Sequence, residues 1–346
     1  MIRTRPYTPG VVLAESIVHT CDKFALRLSG DFGVRWYGLA YAAGFVVAWL
    51  VMRWFARTRR SPITVAQAGD IATILAFGLL IGGRLGHIIF YEPDLLVSFT
   101  NAFPFWGVLQ LQRGGMSSHG GIIGIAVATF WLSHRSRVPA LVIGDLACFV
   151  APIGLGLGRM ANWVNGELWG KPLPDAAQES PPWWSVKYPE EMLLTNFPNA
   201  DRLAELAPLR TQLGIETQVP IAEALYRACY ADNAAVIAKV APLLTARYPI
   251  NFMQAMTDGV ILFTILAVAW IRPRPAGWIF GWFMLTYGIL RIITEQYRTP
   301  DPDILTIGPV TLPMTLSALM CAIGAATLTV VGNRSDRHGG LLRDPA

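Results

Sequence analysis

The chain has 346 residues, 53% of them hydrophobic and only 15% charged, with a positive mean hydropathy and a formal net charge of +5. Soluble globular chains carry about 25% charged residues, so this chain has too few to cover a soluble surface. The basic excess sits in short clusters between apolar runs, which is the placement of membrane-orienting arginines and excludes a nucleic-acid-binding patch.

In chain order, residues 1–32 come first. They hold no uninterrupted apolar core ahead of a small-residue cleavage site, so no cleaved leader is expected. Within them "VVLAESIVHTCDKFALRL" (11–28) is too polar to span a bilayer and is expected to lie on its surface as an amphipathic helix. A spanning helix needs about 20 mostly apolar residues. Runs that meet this need lie at 33–55, 66–91, 117–134, 140–163, 250–271, 277–297 and 311–332.

The compact basic loops "RWFARTRR" (53–60), "HRSR" (134–137) and "RPRP" (272–275), with the tail "NRSDRHGGLLR" (333–343), follow spans one, three, five and seven and so share one side of the bilayer. Positive-inside logic then puts the C-terminus in the cytoplasm and the N-terminus outside, as an odd number of spans requires. The expected architecture is an all-α polytopic membrane protein with seven transmembrane helices. Its divisions are an N-terminal outer segment (1–32), spans one to four (33–170), an extracytoplasmic insertion (171–249), spans five to seven (250–332) and a cytoplasmic tail (333–346). The insertion opens proline-rich and aromatic, then shows leucine and alanine at helical spacing, so it is expected to be mostly helical. Cys21, Cys148, Cys229 and Cys321 show neither disulfide nor metal-ligand spacing.

Charged groups in a bilayer are costly, about 2.5–3.5 kcal/mol each on insertion scales, yet these spans hold several in register. Arg84, His87 and Tyr91 share a helix face in "GGRLGHIIFY", as do Tyr287, Arg291, Glu295 and Arg298 in "TYGILRIITEQYR". Arg159, Asn162 and Asn165 recur every third residue in "GLGRMANWVNGELWG", which then reaches Glu167. "RGGMSSHGG" delivers His119 between glycine pairs.

Each group also has a purely structural reading. Arg291 and Glu295 suit an i,i+4 ion pair, Arg298 suits snorkelling, and Arg84 and His87 suit hydrogen bonds to nearby backbone. Taken together, the cations outnumber the acids in the spans, of which Glu167, Glu295 and Asp70 are the main ones. A bound phosphate would supply the missing negative charge, and arginine's planar fork suits it. The residues by themselves point to a membrane enzyme or carrier for an anionic lipid.

The stretches "WYGLAY" (36–41), "GGRLGHIIFY" (82–91), "GGMSSHGGIIG" (114–124, extended back to Arg113), "GLGRMANWVNGELWG" (156–170), "YGILRIITEQYRTPD" (287–301) and "GPVTLPMTLS" (308–317) together resemble the bacterial prolipoprotein diacylglyceryl transferases. The resemblance implies transfer of the diacylglyceryl group of phosphatidylglycerol to the lipobox cysteine thiol of a lipoprotein precursor, forming a thioether and releasing glycerol phosphate. It further implies a multi-pass monomer of the bacterial inner membrane, with its active site toward the periplasm and with no metal or cofactor.

Carried over by position, Arg159 resembles the family's phosphate-binding arginine and Arg291 its second essential one. His119 resembles the base that takes the thiol proton. Tyr37, Arg84, Asn162, Glu167, Gly170, Tyr287 and Glu295 are assigned to the substrate site. Two features depart from the pattern. Where family members begin span five with a motif such as "HPSQLYE", this chain reads "YPINFMQ" (248–254), with Tyr248 for a histidine and Gln254 for a carboxylate. The insertion is also longer than expected. These departures keep open a divergent paralogue that binds or moves anionic phospholipid, or uses another acceptor, without the standard chemistry.

Overall fold

The computed structural model describes residues 12–13, 16–29, 32–101, 104–110, 115–212, 218–300, 306–307 and 310–342. Arg113, Gly114, Asp301, Gly308 and Pro309 of the resemblance motifs lie outside the described residues. The chain forms two compact bodies. One comprises Met1–Tyr41, Leu155–Thr257 and Leu290–Thr315, the other Ala42–Gly154, Asp258–Ile289 and Leu316–Ala346.

Strands β1 (Val12–Leu13), β2 (Ser16–Val18), β3 (Phe24–Ser29) and β4 (Phe32–Arg35) precede the long helices α1 (Trp36–Arg57), α2 (Val65–Phe90), α3 (Ser118–Ser136) and α4 (Ala140–Asn165). The insertion follows, with α5 (Asp175–Gln178), β5 (Val186–Lys187), α6 (Ala200–Ala204), α7 (Leu209–Gln212), α8 (Ile221–Tyr230) and α9 (Ala234–Val240). Then come α10 (Ile250–Gln254), a π-helical stretch Ala255–Ile261, α11 (Leu262–Ala269), α12 (Trp278–Glu295), the ribbon β6 (Thr306–Ile307) and β7 (Val310–Thr311), and α13 (Leu312–Gly332).

Among the described residues, five helices are long and apolar enough to cross a membrane: α1, α2, α4, the run Ile250–Ala269 and α13. Helices also stand at the other two expected positions, α3 and α12. Their apolar character is diluted by His119, His134 and Arg135 in the one and by Arg291 and Glu295 in the other.

The surface helix expected over 11–28 is not formed. Residues 16–18 and 24–29 are strands, and β2 runs parallel to β5 with Ile17 opposite Val186 and Val18 opposite Lys187. The reason is tertiary. Ser16 and Val18 are buried while Ile17 between them is half-exposed, the period-two pattern of a strand with one covered face. A free edge at Val186–Lys187 supplies the ladder partner. Among the described residues the fold is therefore mostly helical rather than all-α, with one small three-stranded sheet and two two-stranded ribbons.

In the first body, α8 and α9 bury Leu225, Cys229, Ile237 and Val240 against Val18, Met192 and Leu244. The Asn233 side chain accepts from the Val236 amide at the start of α9, a cap that fixes the turn between the two helices. A second cluster joins Trp163, Val186 and Tyr188 to Trp169 and Phe252. His19 sits beside it: its Nε2–H donates to the Trp163 carbonyl at 2.7 Å, so Nδ1 accepts from the Tyr230 hydroxyl at 2.9 Å. Burial lowers its pKa from 6.5 to about 4.

In the second body, α2 and α3 meet along glycines. A Cβ on Gly78, Gly82 or Gly86 would run into the backbone of Gly120 or Gly124, and the reverse holds. Small residues at four-residue spacing let membrane helices approach closely enough for dispersion to hold them. Opposite charge to dipole fixes another joint: Asp145 of α4 accepts from the backbone amides of Gly277 and Phe280 at 2.8 Å each, capping the start of α12.

Candidate active site

The C-terminal end of α4 carries the largest polar constellation. One Nδ2 of Asn162 lies 3.3 Å from both the Tyr37 hydroxyl and Glu167 Oε2, while Asn165 donates to Glu167 Oε1 at 3.1 Å. Both carboxylate oxygens are thus held by amides one turn apart on the helix. Asn162 is buried and Glu167 exposed. Glu167 cannot continue the helix because Gly166 and Leu168 both take left-handed backbone, at φ of 69° and 56°. For leucine that conformation is strained, and it persists because three bonds fix the turn. The Glu167 amide donates to the Asn162 carbonyl, the Trp169 indole donates to the Gly166 carbonyl at 2.7 Å, and Asn251 Nδ2 donates to the Glu167 carbonyl at 2.9 Å. Arg159, one turn before Asn162, is partly exposed, and both it and Glu167 are in electrostatic range of the Tyr41 phenol.

Gly170 closes the stretch under a backbone clamp. Its carbonyl accepts from Thr299 Oγ1 at 3.0 Å and from Arg247 Nη1 at 3.3 Å. On either side, the Lys171 amide donates to the Tyr297 carbonyl and the Thr299 amide to the Trp169 carbonyl. A Cβ here would be driven into the Tyr248 carbonyl oxygen. Arg247 is itself buried, paired with Glu191 at 2.7 Å and lying over the Trp169 ring.

At the end of α12, Arg291 Nη2 is 2.8 Å from Glu295 Oε2, and Arg298 Nη1 lies 3.9 Å from the same oxygen. All three side chains are buried, so two guanidinium groups converge on one carboxylate.

The remaining sequence candidates belong to the second body. Arg84 is buried and donates to three backbone carbonyls: Val108 and Gly107 at 2.8 Å and Gly115 at 3.1 Å. It thereby organises the loop that leads to α3, the backbone-bonding reading of the two open at this position. His87 stacks on Tyr91, and Gly115, at φ of 84°, lies flat against His87 and Arg84. His119 is exposed in the first turn of α3. The Ser117 side chain caps that turn by accepting from the Gly120 amide, and the glycine seam anchors it. Tyr287 is half-buried, its ring parallel to Phe283 at 5.5 Å.

So Tyr37, Asn162 and Glu167 form one network, Gly170 a separate clamp with Thr299 and Arg247, and Arg291 and Glu295 an ion pair; Arg84, His119 and Tyr287 stand in the other body. Sequence reasoning passed over Asn251 and Arg247. Both sit in or beside "YPINFMQ", which drew notice only for its departures; a buried asparagine opening an apolar helix was the available signal. Gln254 and, four residues on, Asp258 are fully buried. Asp258 lies in the π-helical stretch, a local irregularity common at functional positions.

These features define a class: a helical membrane protein with arginine- and amide-rich polar groups gathered at helix ends. A sequence model of the prolipoprotein diacylglyceryl transferase family matches residues 23–330, and the chain belongs to that family. It is 38% identical over 307 residues to a protein of Bdellovibrio bacteriovorus named phosphatidylglycerol–prolipoprotein diacylglyceryl transferase, covering 83% of this chain and 86% of that protein. Proteins of the same name from Bradyrhizobium diazoefficiens and Geobacter sulfurreducens are 33% and 30% identical over 315 residues each. They cover 88% and 90% of this chain, and 90% and 96% of their own lengths.

Proposed function

We propose that the chain transfers the diacylglyceryl group of phosphatidylglycerol to the lipobox cysteine of lipoprotein precursors. The observation that carries this reading is Arg159, one helical turn ahead of the Tyr37–Asn162–Glu167 network, in a chain of this family. Arg159 and Arg291 hold the phosphodiester and offset the charge that develops on the leaving phosphate. His119 takes the thiol proton, since the thiolate is the nucleophile. The sulfur then bonds to the glyceryl carbon as that carbon's bond to the phosphate oxygen breaks, and glycerol phosphate departs with the bonding pair. Tyr37, Asn162, Glu167, Gly170 and Tyr287 shape the headgroup site, Glu295 orients Arg291, and Arg84 orders the loop before His119.

The same reading takes all seven helices as spans, with the N-terminus and the 171–249 insertion outside and the C-terminus in the cytoplasm. It makes the protein a multi-pass monomer of the bacterial inner membrane whose site faces the periplasm. The fully buried Gln254, standing for a carboxylate, favours a second reading in which phospholipid binds without chemistry. Proteoliposomes of phosphatidylglycerol with a lipobox peptide separate the two. Glycerol phosphate release that Arg159→Ala abolishes supports transfer, whereas lipid binding with no release supports the second reading.

A further inference from the structure

The insertion carries an aromatic pair, Trp183 and Trp184, in an uncharged stretch, "SPPWWSV". Trp183 is 68% exposed, an unusual state for a side chain that buries so much apolar area when it can. Trp184 does not stand alone. Its ring stacks on Tyr248 at 6.3 Å, and Tyr248 meets Tyr297 edge-on at 5.1 Å. Three rings from three distant parts of the chain thus make one row.

Two of those rings mark helix ends. Tyr248 comes two residues before Ile250, where the apolar run Ile250–Ala269 begins, and Tyr297 comes two residues after Glu295, where α12 stops. The row therefore lies at the ends of these two apolar helices, at the ends that adjoin the insertion. The main chain of Tyr248 is already committed, its amide donating to the Lys171 carbonyl and its carbonyl packed on Gly170. Only the ring is left to act. Of the neighbouring lysines, Lys187 turns inward and donates to the Ala241 carbonyl, while Lys171, main-chain-bonded to Tyr248 and Tyr297, stays exposed where it suits an anionic headgroup. An uncharged aromatic row at a helix-end level is the composition of the interfacial belt, where indole and phenol rings sit among headgroups.

We propose that Trp183, Trp184, Tyr248 and Tyr297 form a seat on the bilayer surface, through which the insertion rests on the headgroup layer beside the clamp at Gly170. The occupant is phospholipid. A protein partner would also suit exposed tryptophans, but continuity with two helix ends favours lipid. Tyr248, which departs from the family pattern, is thereby accounted for as the middle ring of the row. The seat stands independently of whether the chain performs the transfer.

The test places the photo-crosslinking amino acid p-benzoylphenylalanine at position 183 of the full chain, in proteoliposomes of phosphatidylglycerol and phosphatidylethanolamine with lipobox peptide present. A control carries it at position 205, where Glu205 is exposed on the insertion. Adducts are read by intact mass after irradiation. Several-fold more phospholipid adduct at 183 than at 205 supports the seat. Equal adduct at the two positions overturns it, as does crosslinking at 183 mainly to the peptide or to a second copy of the chain. A second probe at 297 guards against a misfolded 183 variant, with the same result expected and the same results overturning the proposal.

Discussion

Asn251 donates its side-chain amide to the main-chain carbonyl of Glu167 over 2.9 Å, tying the first turn of α10 to the turn that presents the Glu167 carboxylate. The bond acts on the backbone, so it sets where Glu167 points without touching the carboxylate itself. Replacing Asn251 by leucine keeps the branched shape in a bulkier side chain and removes the donor to the part-buried Glu167 carbonyl, at a cost of about 1 kcal/mol for the bond. The expected outcome is a lower kcat in the glycerol phosphate assay with a smaller change in KM for lipid. Unchanged kinetics would show that the turn is held well enough by its other two bonds.

Arg159 and Arg291 are expected to resist conservative exchange. A lysine keeps the charge and loses the planar fork that grips two phosphate oxygens. Arg159→Lys should lower kcat/KM by roughly 10²–10³-fold, in line with loss of a transition-state donor. Arg291→Lys should behave alike. Retention of near-normal turnover in both variants would remove the arginines from the chemistry.

Glu295 faces two arginines, and removing one member of a buried pair costs about 3–5 kcal/mol. Glu295→Ala should lower the thermal midpoint of the detergent-solubilised protein. Glu295→Gln should lower it less, because the amide oxygen can still accept. Equal midpoints for the two variants would argue that the charge of Glu295, and neither its volume nor its hydrogen-bond acceptance, carries the stabilisation.

Gly170→Ala has no room. The added methyl would meet the Tyr248 carbonyl oxygen, and that carbonyl belongs to main chain already bonded at its own amide. Overpacking of this kind costs about 1–3 kcal/mol. Protease sensitivity near residues 169–171 is the direct reading, with faster cleavage expected in the variant.

His19 gives the molecule a pH dependence whose sign is fixed by its burial. Its pKa falls from 6.5 to about 4, so the unfolded chain takes up the proton first as pH drops. The stabilisation is whole above pH 6.5 and is lost progressively down to about pH 4, amounting to about 3 kcal/mol at 1.36 kcal/mol per unit. His19→Gln should flatten the dependence of the unfolding midpoint over that window. A slope equal to that of the unmodified chain would assign the effect to other groups.

Helix positions were legible because hydropathy is a property of local sequence: runs at all seven expected places are helical. The polar registers were legible too, since a three-residue step puts Asn162 and Asn165 on one helix face, where both reach Glu167. What escaped was tertiary. Residues 16–18 could become a strand only because Val186 and Lys187, far along the chain, offer an edge. Asn251 and Arg247 escaped for the same reason, as their partners Glu167, Gly170 and Glu191 lie more than fifty positions away. Arg84 was legible as polar and unusual, but nothing in its own helix told which carbonyls would receive it.

The acceptors of Arg84 lie 23, 24 and 31 positions further along the chain. While the protein is being made, α2 is therefore complete before the carbonyls that satisfy its guanidinium have been added. The glycines that let α3 lie against α2 also come later, at Gly120 and Gly124. Arg84 is thus satisfied only when α2, the loop and α3 have come together, and the loop is a condition of folding as much as a connection.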